Sequence, residues 1–249
     1  MRRRRERSSS VQPPSGMVAA GLLSALMVAS VLTAPKYVSA QEMDNAIFHY
    51  SMLDIDAASS AGPNIGRWDA SGWIGTDFDR LWWSTNGEGA ESKLDEFETM
   101  LLYGHYARRF WDVVVGYRQD WQPTSQGYLT VGLMGLAPYW FEVGLFGFVS
   151  DHGEPSLRLD AENDLYLTQR LVLTLKGEVD WLLTPDDELD LGAGIASLEL
   201  GLRTRYEIRR KFAPYVDLTW VQEKDTRAPV PGGRELEGLR LGAGLRLIH

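Results

Sequence analysis

The sequence predicts an all-β protein, a transmembrane antiparallel up-and-down β-barrel of about twelve strands preceded by a signal peptide. Three observations lead to this fold class. Long segments alternate between apolar and charged residues, the N-terminus carries an export signal, and short turns alternate with longer polar loops. Alternation with a period of two gives a strand two different faces. A charged face suits the water-filled inside of a barrel whose outside contacts lipid.

The first 40 residues have the composition of a secretory signal peptide. Five arginines within the first seven residues precede an apolar stretch from Met17 to Leu32, and Val38, Ser39 and Ala40 supply small residues for a signal peptidase. Cleavage is therefore expected before Gln41. The alternative, a transmembrane anchor, is disfavoured because the apolar stretch is shorter than the ~20 residues that a spanning helix needs.

Cleavage would leave residues 41–46 as a short periplasmic segment and residues 47–249 as the barrel domain. Removing residues 1–40 takes six of the 25 basic and one of the 34 acidic residues, which leaves 19 basic and 33 acidic residues and a net charge of −14. Such an acidic chain is not expected to bind nucleic acid, whereas cations are compatible ligands. The chain contains no cysteine, which excludes disulfides, thiolate metal sites and a cysteine nucleophile.

The clearest strands lie between Leu157 and Leu183. Alternate residues from Leu157 onward are mostly apolar, the residues between them are mostly charged, and the pattern resumes after a turn at residues 168–170. Each segment has about a dozen residues, roughly twice the usual length of a soluble strand. A tilted transmembrane strand needs ~9–11 residues. The two segments are therefore predicted to cross a bilayer.

Twelve strands are predicted along the chain. They cover residues 47–55, 68–75, 79–85, 95–107, 111–121, 128–136, 139–150, 157–167, 171–183, 198–208, 213–222 and 236–248. Long loops are expected at residues 57–66, 87–94, 184–197 and 224–235. Short turns are expected near residue 77 and at residues 108–110, 137–138, 168–170 and 209–212. An even strand number, with long loops at one end and short turns at the other, is typical of bacterial outer-membrane barrels.

The faces of individual strands follow from the same alternation. Phe48, Tyr50 and Met52 share one face of the first strand, and His105 is expected on the lipid side of the fourth strand near the periplasmic rim. In residues 198–208 and 236–248, leucines alternate with charged or glycine residues. The leucines are predicted to face outward and the charges inward, since a lipid-exposed charge is costly.

Aromatic residues near strand ends support the membrane assignment, because outer-membrane barrels carry aromatic girdles at both interfaces. The residues concerned are Trp68, Trp111, Trp121, Tyr139, Trp140, Trp181 and Tyr206. The alternative is a soluble β-sandwich with tryptophans in its core. The signal peptide, the strand lengths and the charged inner face all argue against it.

Catalysis is not expected. A hydrolase needs a nucleophile, a base and an orienting group within mutual reach. The candidate histidine bases are His49, His105, His152 and His249, and none lies beside a serine framed by glycines.

Charged residues on the inward face are numerous. They include Arg118, Asp120, Glu142, Arg158, Asp160, Glu162, Asp164, Lys176, Glu178, Asp180, Glu199, Arg203, Arg205, Glu207, Arg240 and Arg246. Opposite charges on paired strands can neutralise one another and narrow the lumen. Two interpretations stay open: a structural lattice of salt bridges, or a subset of residues that forms a cation-binding or conduction path.

Metal-ligating residues are sparse near the predicted mature N-terminus, where Met43, His49 and Met52 lie with Asp44. Thioethers favour Cu(I) and imidazoles favour Cu(II). His-x-x-Met occurs easily by chance, so this spacing alone does not define a copper site. Met100 and Met134 lie within strands and are interpreted as packing residues.

Several stretches resemble the copper resistance protein B family of bacterial outer-membrane proteins. They are the runs at residues 68–82, 102–111, 135–142, 167–171 and 205–215. The most specific are Leu-Ala-Pro-Tyr-Trp-Phe-Glu, within residues 135–142, and Arg-Tyr-Glu-Ile-Arg-Arg-Lys-Phe-Ala-Pro-Tyr, at residues 205–215. Family signature positions fall on the periplasmic turns, where charged and proline residues are expected to have an architectural role. Those positions are Asp77, Asp79, Arg80, Arg108, Arg109, Pro138, Tyr139, Gln169, Arg170, Arg209, Arg210 and Pro214.

The resemblance implies an outer-membrane barrel in a Gram-negative cell that binds or passes copper ions in copper homeostasis or tolerance. It also implies contact with outer-membrane lipid and a periplasmic copper-binding protein as partner. The candidate copper ligands are His49 and Met52, with inward Glu142, Glu162 and Glu207 as oxygen ligands or a charge path. The alternative is a structural or narrow porin-like barrel without specific copper binding.

Overall fold

Twelve antiparallel strands close into a barrel in the computed structural model, which describes residues 46–59, 65–90, 93–185, 192–223 and 238–249. The strands are β1 (Phe48–Ser59), β2 (Ile65–Gly75), β3 (Asp79–Ala90), β4 (Lys93–Arg108), β5 (Trp111–Gln122), β6 (Gln126–Ala137), β7 (Phe141–Ser150), β8 (Pro155–Tyr166), β9 (Leu171–Leu182), β10 (Gly194–Tyr206), β11 (Phe212–Glu223) and β12 (Gly238–Ile248). Each strand pairs with its sequence neighbours, and β1 pairs with β12 to close the sheet. The predicted fold class and strand number are confirmed.

The alternation of residue types sets which side chains face out of the barrel and which face in. Leu200 and Leu241 on the outer face are 50% and 57% exposed, whereas Thr219 and Arg246 on the inner face are 2% and 5% exposed. Closure leaves no unpaired sheet edge, which is the condition for a sheet to cross hydrocarbon. The predicted outward leucines and inward charges of β10 and β12 are confirmed.

The two ends of the barrel differ in their connections. Residues 76–78, 109–110, 138–140, 167–170 and 207–211 join strands at the end where β1 begins. The strand ends that flank the two longest connections, residues 183–193 and 224–237, are at the opposite end. Short turns face the periplasm in outer-membrane barrels, so the first end is the periplasmic end. Exposed aromatic residues lie here, with Tyr139 86% and Trp140 75% exposed.

Two predicted loops are wrong because the strands extend further. β1 continues to Ser59 and β2 begins at Ile65, within the predicted loop at 57–66. β3 continues to Ala90 and β4 begins at Lys93, which replaces most of the loop predicted at 87–94.

Glu88 of that second segment faces the lumen within β3 rather than lying in a loop. The carboxylate of Glu88 lies 3.0 Å from Arg240. Gly87 leaves room for an aromatic ring on the outer face, since a Cβ atom there would lie 2.3 Å from Trp68. Glycine and acidic residues indicated a loop by composition, but here they serve packing and charge pairing inside a strand.

The start of β7 also differs from the prediction. Pro138–Trp140 form a short 3-10 turn, and both Tyr139 and Trp140 have φ of 66°, so β7 begins at Phe141 rather than Tyr139. The Asn163 amide donates hydrogen bonds of 3.0 Å to the carbonyl oxygens of Tyr139 and Trp140. This side chain is on the lipid-facing side of β8 but is buried by the turn, which explains a polar residue at an outward position.

The predicted signal peptide at residues 1–40 and residues 41–45 of the predicted periplasmic segment lie outside the described residues. No helix in the described ranges is both long and apolar enough to cross a membrane.

A basic residue on the outer face near the middle of a strand is expected to destabilise the barrel. Leu200→Arg should lower the free energy of unfolding by ~2–4 kcal/mol in a bilayer, because a guanidinium at the midplane loses its hydration. Urea unfolding of the barrel in lipid vesicles, followed by tryptophan fluorescence, measures the change. Leu200→Met is the matched control and should cost less than ~1.5 kcal/mol. Equal losses for the two variants would show that Leu200 does not face lipid.

Candidate functional site: the charged lumen

The lumen contains an apolar cluster as well as many charged residues. Leu102, Val114, Tyr128, Phe146 and Phe148 form a buried cluster on β4–β7. Trp82, Met100 and Met134 pack against it, as predicted for the two methionines. The remaining strands line the lumen mainly with charged residues. Apolar side chains therefore fill part of the interior beside β4–β7, and charged side chains, some of them on the same strands, line the rest.

Carboxylates outnumber basic groups at the inward strand positions by seventeen to ten within the described residues. The inward carboxylates are Asp54, Asp56, Asp69, Glu88, Glu96, Glu98, Asp112, Asp120, Glu142, Asp160, Glu162, Asp164, Glu178, Asp180, Glu199, Asp217 and Glu223. The inward basic residues are Arg67, Arg80, Lys93, Arg118, Arg158, Lys176, Arg203, Arg205, Arg240 and Arg246. A lumen with this imbalance attracts cations and repels anions.

Asp54 binds two arginines inside the lumen. Its carboxylate, 2% exposed, accepts hydrogen bonds of 2.8 Å from Nε and Nη2 of Arg246 on the neighbouring strand. It also forms an ion pair with Arg203 of β10, which is separated from β1 by two strands. Arg203 in turn lies 2.9 Å from Asp217 and 4.0 Å above the Tyr215 ring. These contacts fix one side of the lumen.

A second set of ion pairs crosses the lumen between β4 and β8. Arg158 Nη1 lies 3.1 Å from a Glu98 oxygen, and Arg118 Nε lies 2.9 Å from the same oxygen. The Arg158 Nε atom is 2.8 Å from Asp180. The two guanidinium groups of Arg118 and Arg158 lie 4.9 Å and 5.7 Å from the Phe148 ring centroid. We refer to Glu98, Arg118, Phe148 and Arg158 as the lumen barrier, since their contacts cross the interior between β4 and β8.

Several carboxylates face each other across neighbouring strands. Asp160 is opposite Glu178 on β9, and Glu178 is opposite Glu199 on β10. Glu142 is opposite Glu162 on the adjacent strand. Like charges directly opposite on paired strands are destabilising unless something compensates them. Within the part of the chain that the structure describes, Glu142, Asp160 and Glu199 form no ion pair.

The predicted copper ligands divide between two faces of the wall. Glu142 and Glu162 are brought together in the lumen, and Glu162 also lies 3.2 Å from Lys176. Glu207 follows β10 with its carboxylate 3.7 Å from Arg205. Met52 faces the lumen, whereas His49 faces outward, so the structure does not bring these two together.

No group of three or more His, Asp or Glu residues among those described is arranged to hold a metal ion. The carboxylates are therefore spread along the wall rather than gathered in one preformed site.

Several lumen residues of the first two strands are not among the predicted inward charges, including Asp54, Asp56, Arg67 and Asp69. Extending the Phe48, Tyr50 and Met52 face by two more positions leads directly to Asp54 and Asp56, so the periodic signal was present. Asp56 accepts hydrogen bonds from Arg67, at 2.7 Å, and from the Tyr215 hydroxyl, at 2.8 Å.

The outer face carries a separate polar cluster near the periplasmic rim. Nδ1 of His105 lies 2.7 Å from Asp79, and the Tyr103 hydroxyl donates to the same oxygen at 2.5 Å. The predicted lipid-side position of His105 is confirmed. The wall of the barrel separates this cluster from the lumen carboxylates.

The closed sheet, its apolar exterior and its acidic lumen define a β-barrel of the outer-membrane type. A solved structure of the NanC porin shares this fold, with a TM-score of 0.57 and 12% sequence identity over 78% of this chain and 98% of the porin.

The chain belongs to the copper resistance protein B family. The family profile described as "Copper resistance protein B precursor (CopB)" matches residues 48–249. The chain is 42% identical over 181 residues to copper resistance protein B of Escherichia coli, covering 72% of this chain and 61% of that relative. It is 37% identical over 211 residues to a copper resistance protein B homolog of Pseudomonas syringae pv. tomato, covering 83% of this chain and 72% of the homolog.

Removing the Asp54 carboxylate is expected to destabilise the barrel strongly. Asp54→Ala leaves Arg203 and Arg246, which are 6% and 5% exposed, without a shared counter-charge. An uncompensated buried charge costs ~3–5 kcal/mol. Denaturant unfolding in detergent measures the loss.

Asp151→Ala is the control for that experiment, because Asp151 pairs with His152 at the exposed end of a loop. An exposed pair contributes little to stability. If Asp54→Ala unfolds no more easily than Asp151→Ala, the Asp54 contacts do not stabilise the barrel.

Proposed function

We propose that the protein supports copper resistance in the outer membrane by binding copper ions in its lumen or passing them through it, without a catalytic step. The observation that carries this proposal is the excess of inward carboxylates over basic residues. Membership of the copper resistance protein B family points to copper as the cation.

The facing pair of Glu142 and Glu162 is the proposed first contact for copper from the periplasmic end. The carboxylate of neighbouring Asp160 lies over Gly144, since a Cβ atom added to Gly144 would be 2.5 Å from an Asp160 oxygen. On the other side of β7, Gly144 pairs with Met134 of β6. Carboxylate oxygens are hard ligands and a thioether is a soft one. Such mixed, dispersed ligands favour weak binding, and passage requires binding weak enough to release the ion.

The other candidate ligands have different places in this proposal. Met52 and Glu207 extend the lumen path at the periplasmic end. His49 lies on the outer face, so we propose that it acts separately from the lumen path. Export through the predicted signal peptide, contact with outer-membrane lipid and exchange with a periplasmic copper-binding protein complete the proposal.

The second candidate function is a structural or narrow porin-like barrel without specific copper binding. The ion pairs that cross the lumen favour it, in particular Arg158 with Glu98 and Arg203 with Asp54. These contacts obstruct a wide aqueous path. In this alternative the excess carboxylates give cation selectivity but no preference among metals.

Neutralising the facing glutamates is expected to reduce copper handling. Glu142→Gln/Glu162→Gln removes two neighbouring negative charges, and the association constant for copper should fall about tenfold, equivalent to ~1.4 kcal/mol. Isothermal titration of the detergent-folded barrel measures binding. Copper tolerance and copper content of cells that carry each form, or no protein, measure function.

Asp151→Asn, in an exposed loop, is the matched control and should behave as wild type. Zinc in place of copper tests metal preference. Copper and zinc responses that fall equally would favour the porin-like alternative. Unchanged copper binding in the double variant would exclude the glutamate pair.

Shortening one side chain of the lumen barrier is expected to open the lumen. Arg158→Ala removes the group that joins Glu98 to Asp180, so single-channel conductance in planar bilayers should rise several-fold. The net negative lumen should keep the channel cation-selective. Arg109→Ala, at an exposed periplasmic turn, is the control. Equal conductance for the wild type and Arg158→Ala would show that the barrier does not limit passage.

A further inference from the structure

We propose that His49 and His249 form a two-histidine site for a transition-metal cation such as Cu(II) on the outer face of the barrel, where the first and last strands meet. The two rings are stacked with their centroids 5.7 Å apart and their planes at 26°. Both side chains are exposed and lie at the periplasmic end of the wall. The site is distinct from the lumen carboxylates, which lie on the other side of the sheet.

The backbone fixes the separation of the two histidines. The β1–β12 ladder runs from Ser59↔Leu241 to Met52↔Ile248. It continues through Ser51, whose amide donates to the His249 carbonyl at 3.1 Å and whose carbonyl accepts from the His249 amide at 2.8 Å. His49 is two residues from Ser51 and therefore shares its face. His249 is thus held diagonally opposite His49 on the outer face.

The ring nitrogens are available for a ligand. Across the described ranges neither His49 nor His249 makes a side-chain hydrogen bond or an ion pair, and each ring contacts the other. The other two histidines differ, because His105 lies 2.7 Å from Asp79 and His152 lies 3.0 Å from Asp151. The pair at the strand junction is therefore chemically distinct from the other histidines.

The geometry is compatible with one shared ion. Metal–nitrogen bonds of ~2.0–2.1 Å place the centroids of two ligating imidazoles roughly 4.5–6 Å apart, and the observed separation falls in that range. Rotation of the exposed rings about χ2 can direct one nitrogen of each towards a common ion. Imidazole suits Cu(II), Ni(II) and Zn(II), and Cu(II) binds most strongly in this series. Water molecules would complete the coordination.

A metal at this position would link the two strands that close the barrel. An ion that binds only the folded state shifts the folding equilibrium towards it, by about a hundredfold when its concentration is one hundred times the dissociation constant. The ion binds both histidines only when β1 and β12 pair in the correct register. Its binding therefore also shows that the barrel has closed correctly. This inference depends on the proposed function in one respect only, which is that copper is the ion available to the site.

The test is a titration of the full chain, folded in detergent and free of any polyhistidine tag, with CuCl₂. Electron paramagnetic resonance should show one Cu(II) per chain with nitrogen ligands, and the unfolding temperature should rise with copper concentration. His49→Ala and His249→Ala should each weaken this binding at least tenfold. The double variant should lose no more than either single variant, because one histidine alone does not make the site.

His105→Ala and His152→Ala are the matched controls and should leave the nitrogen signal unchanged. Heat-dependent migration on gels shows whether each variant folds. Absence of a nitrogen-ligated signal in the folded wild type, or a signal lost in His105→Ala instead, would overturn the inference. Glu142→Gln/Glu162→Gln should retain the nitrogen signal, so failure of the lumen proposal and failure of this site are separate results.

Discussion

Closure of the sheet is the constraint on which the rest of the structure depends. A strand in hydrocarbon must satisfy every backbone hydrogen bond through its neighbours, so β1 must pair with β12. Once the sheet is closed, each side chain faces either lipid or a narrow lumen. Most charged side chains of the strands are thereby directed to the interior, where water is limited. The arginines then need carboxylates within reach, and Asp54 with Arg203 and Arg246 shows how contacts across the lumen meet that need.

Some lumen carboxylates in the described ranges have no basic partner, and these unpaired carboxylates indicate a function beyond stability. A lattice that served stability alone would match its carboxylates to its basic groups, since an unpaired buried charge is costly. Instead Glu142, Asp160 and Glu199 face other carboxylates across the strands. Cations can compensate such positions. In the proposed function, the salt-bridge lattice and the cation path, which the sequence left as alternatives, would therefore coexist in one lumen, with different residues in each.

The sequence predicted the strand number, the strand faces and the inward charges, because all three follow from a period of two. The prediction from the sequence was wrong where the residue composition indicated a loop but the strand continued. Gly87 and Glu88 indicated a loop, yet they belong to β3 because one makes room for Trp68 and the other pairs with Arg240. Contacts between distant strands, such as Glu98 with Arg158, depend on barrel diameter and register, which periodicity along the chain does not contain. The separation of His49 from Met52, by contrast, follows from the period of two itself, since an odd spacing puts them on opposite faces.

The two proposed copper contacts differ in chemistry in a way that suits different tasks. Carboxylates in the lumen bind through charge, with little geometric demand, so an ion can exchange between neighbouring positions. The paired imidazoles of His49 and His249 bind through directed nitrogen donors, and they meet only when the last strand is in register with the first. An ion there would therefore be retained rather than passed on. The wall of the barrel keeps the two apart, so an ion at the strand junction would stabilise the barrel while others exchange through its lumen.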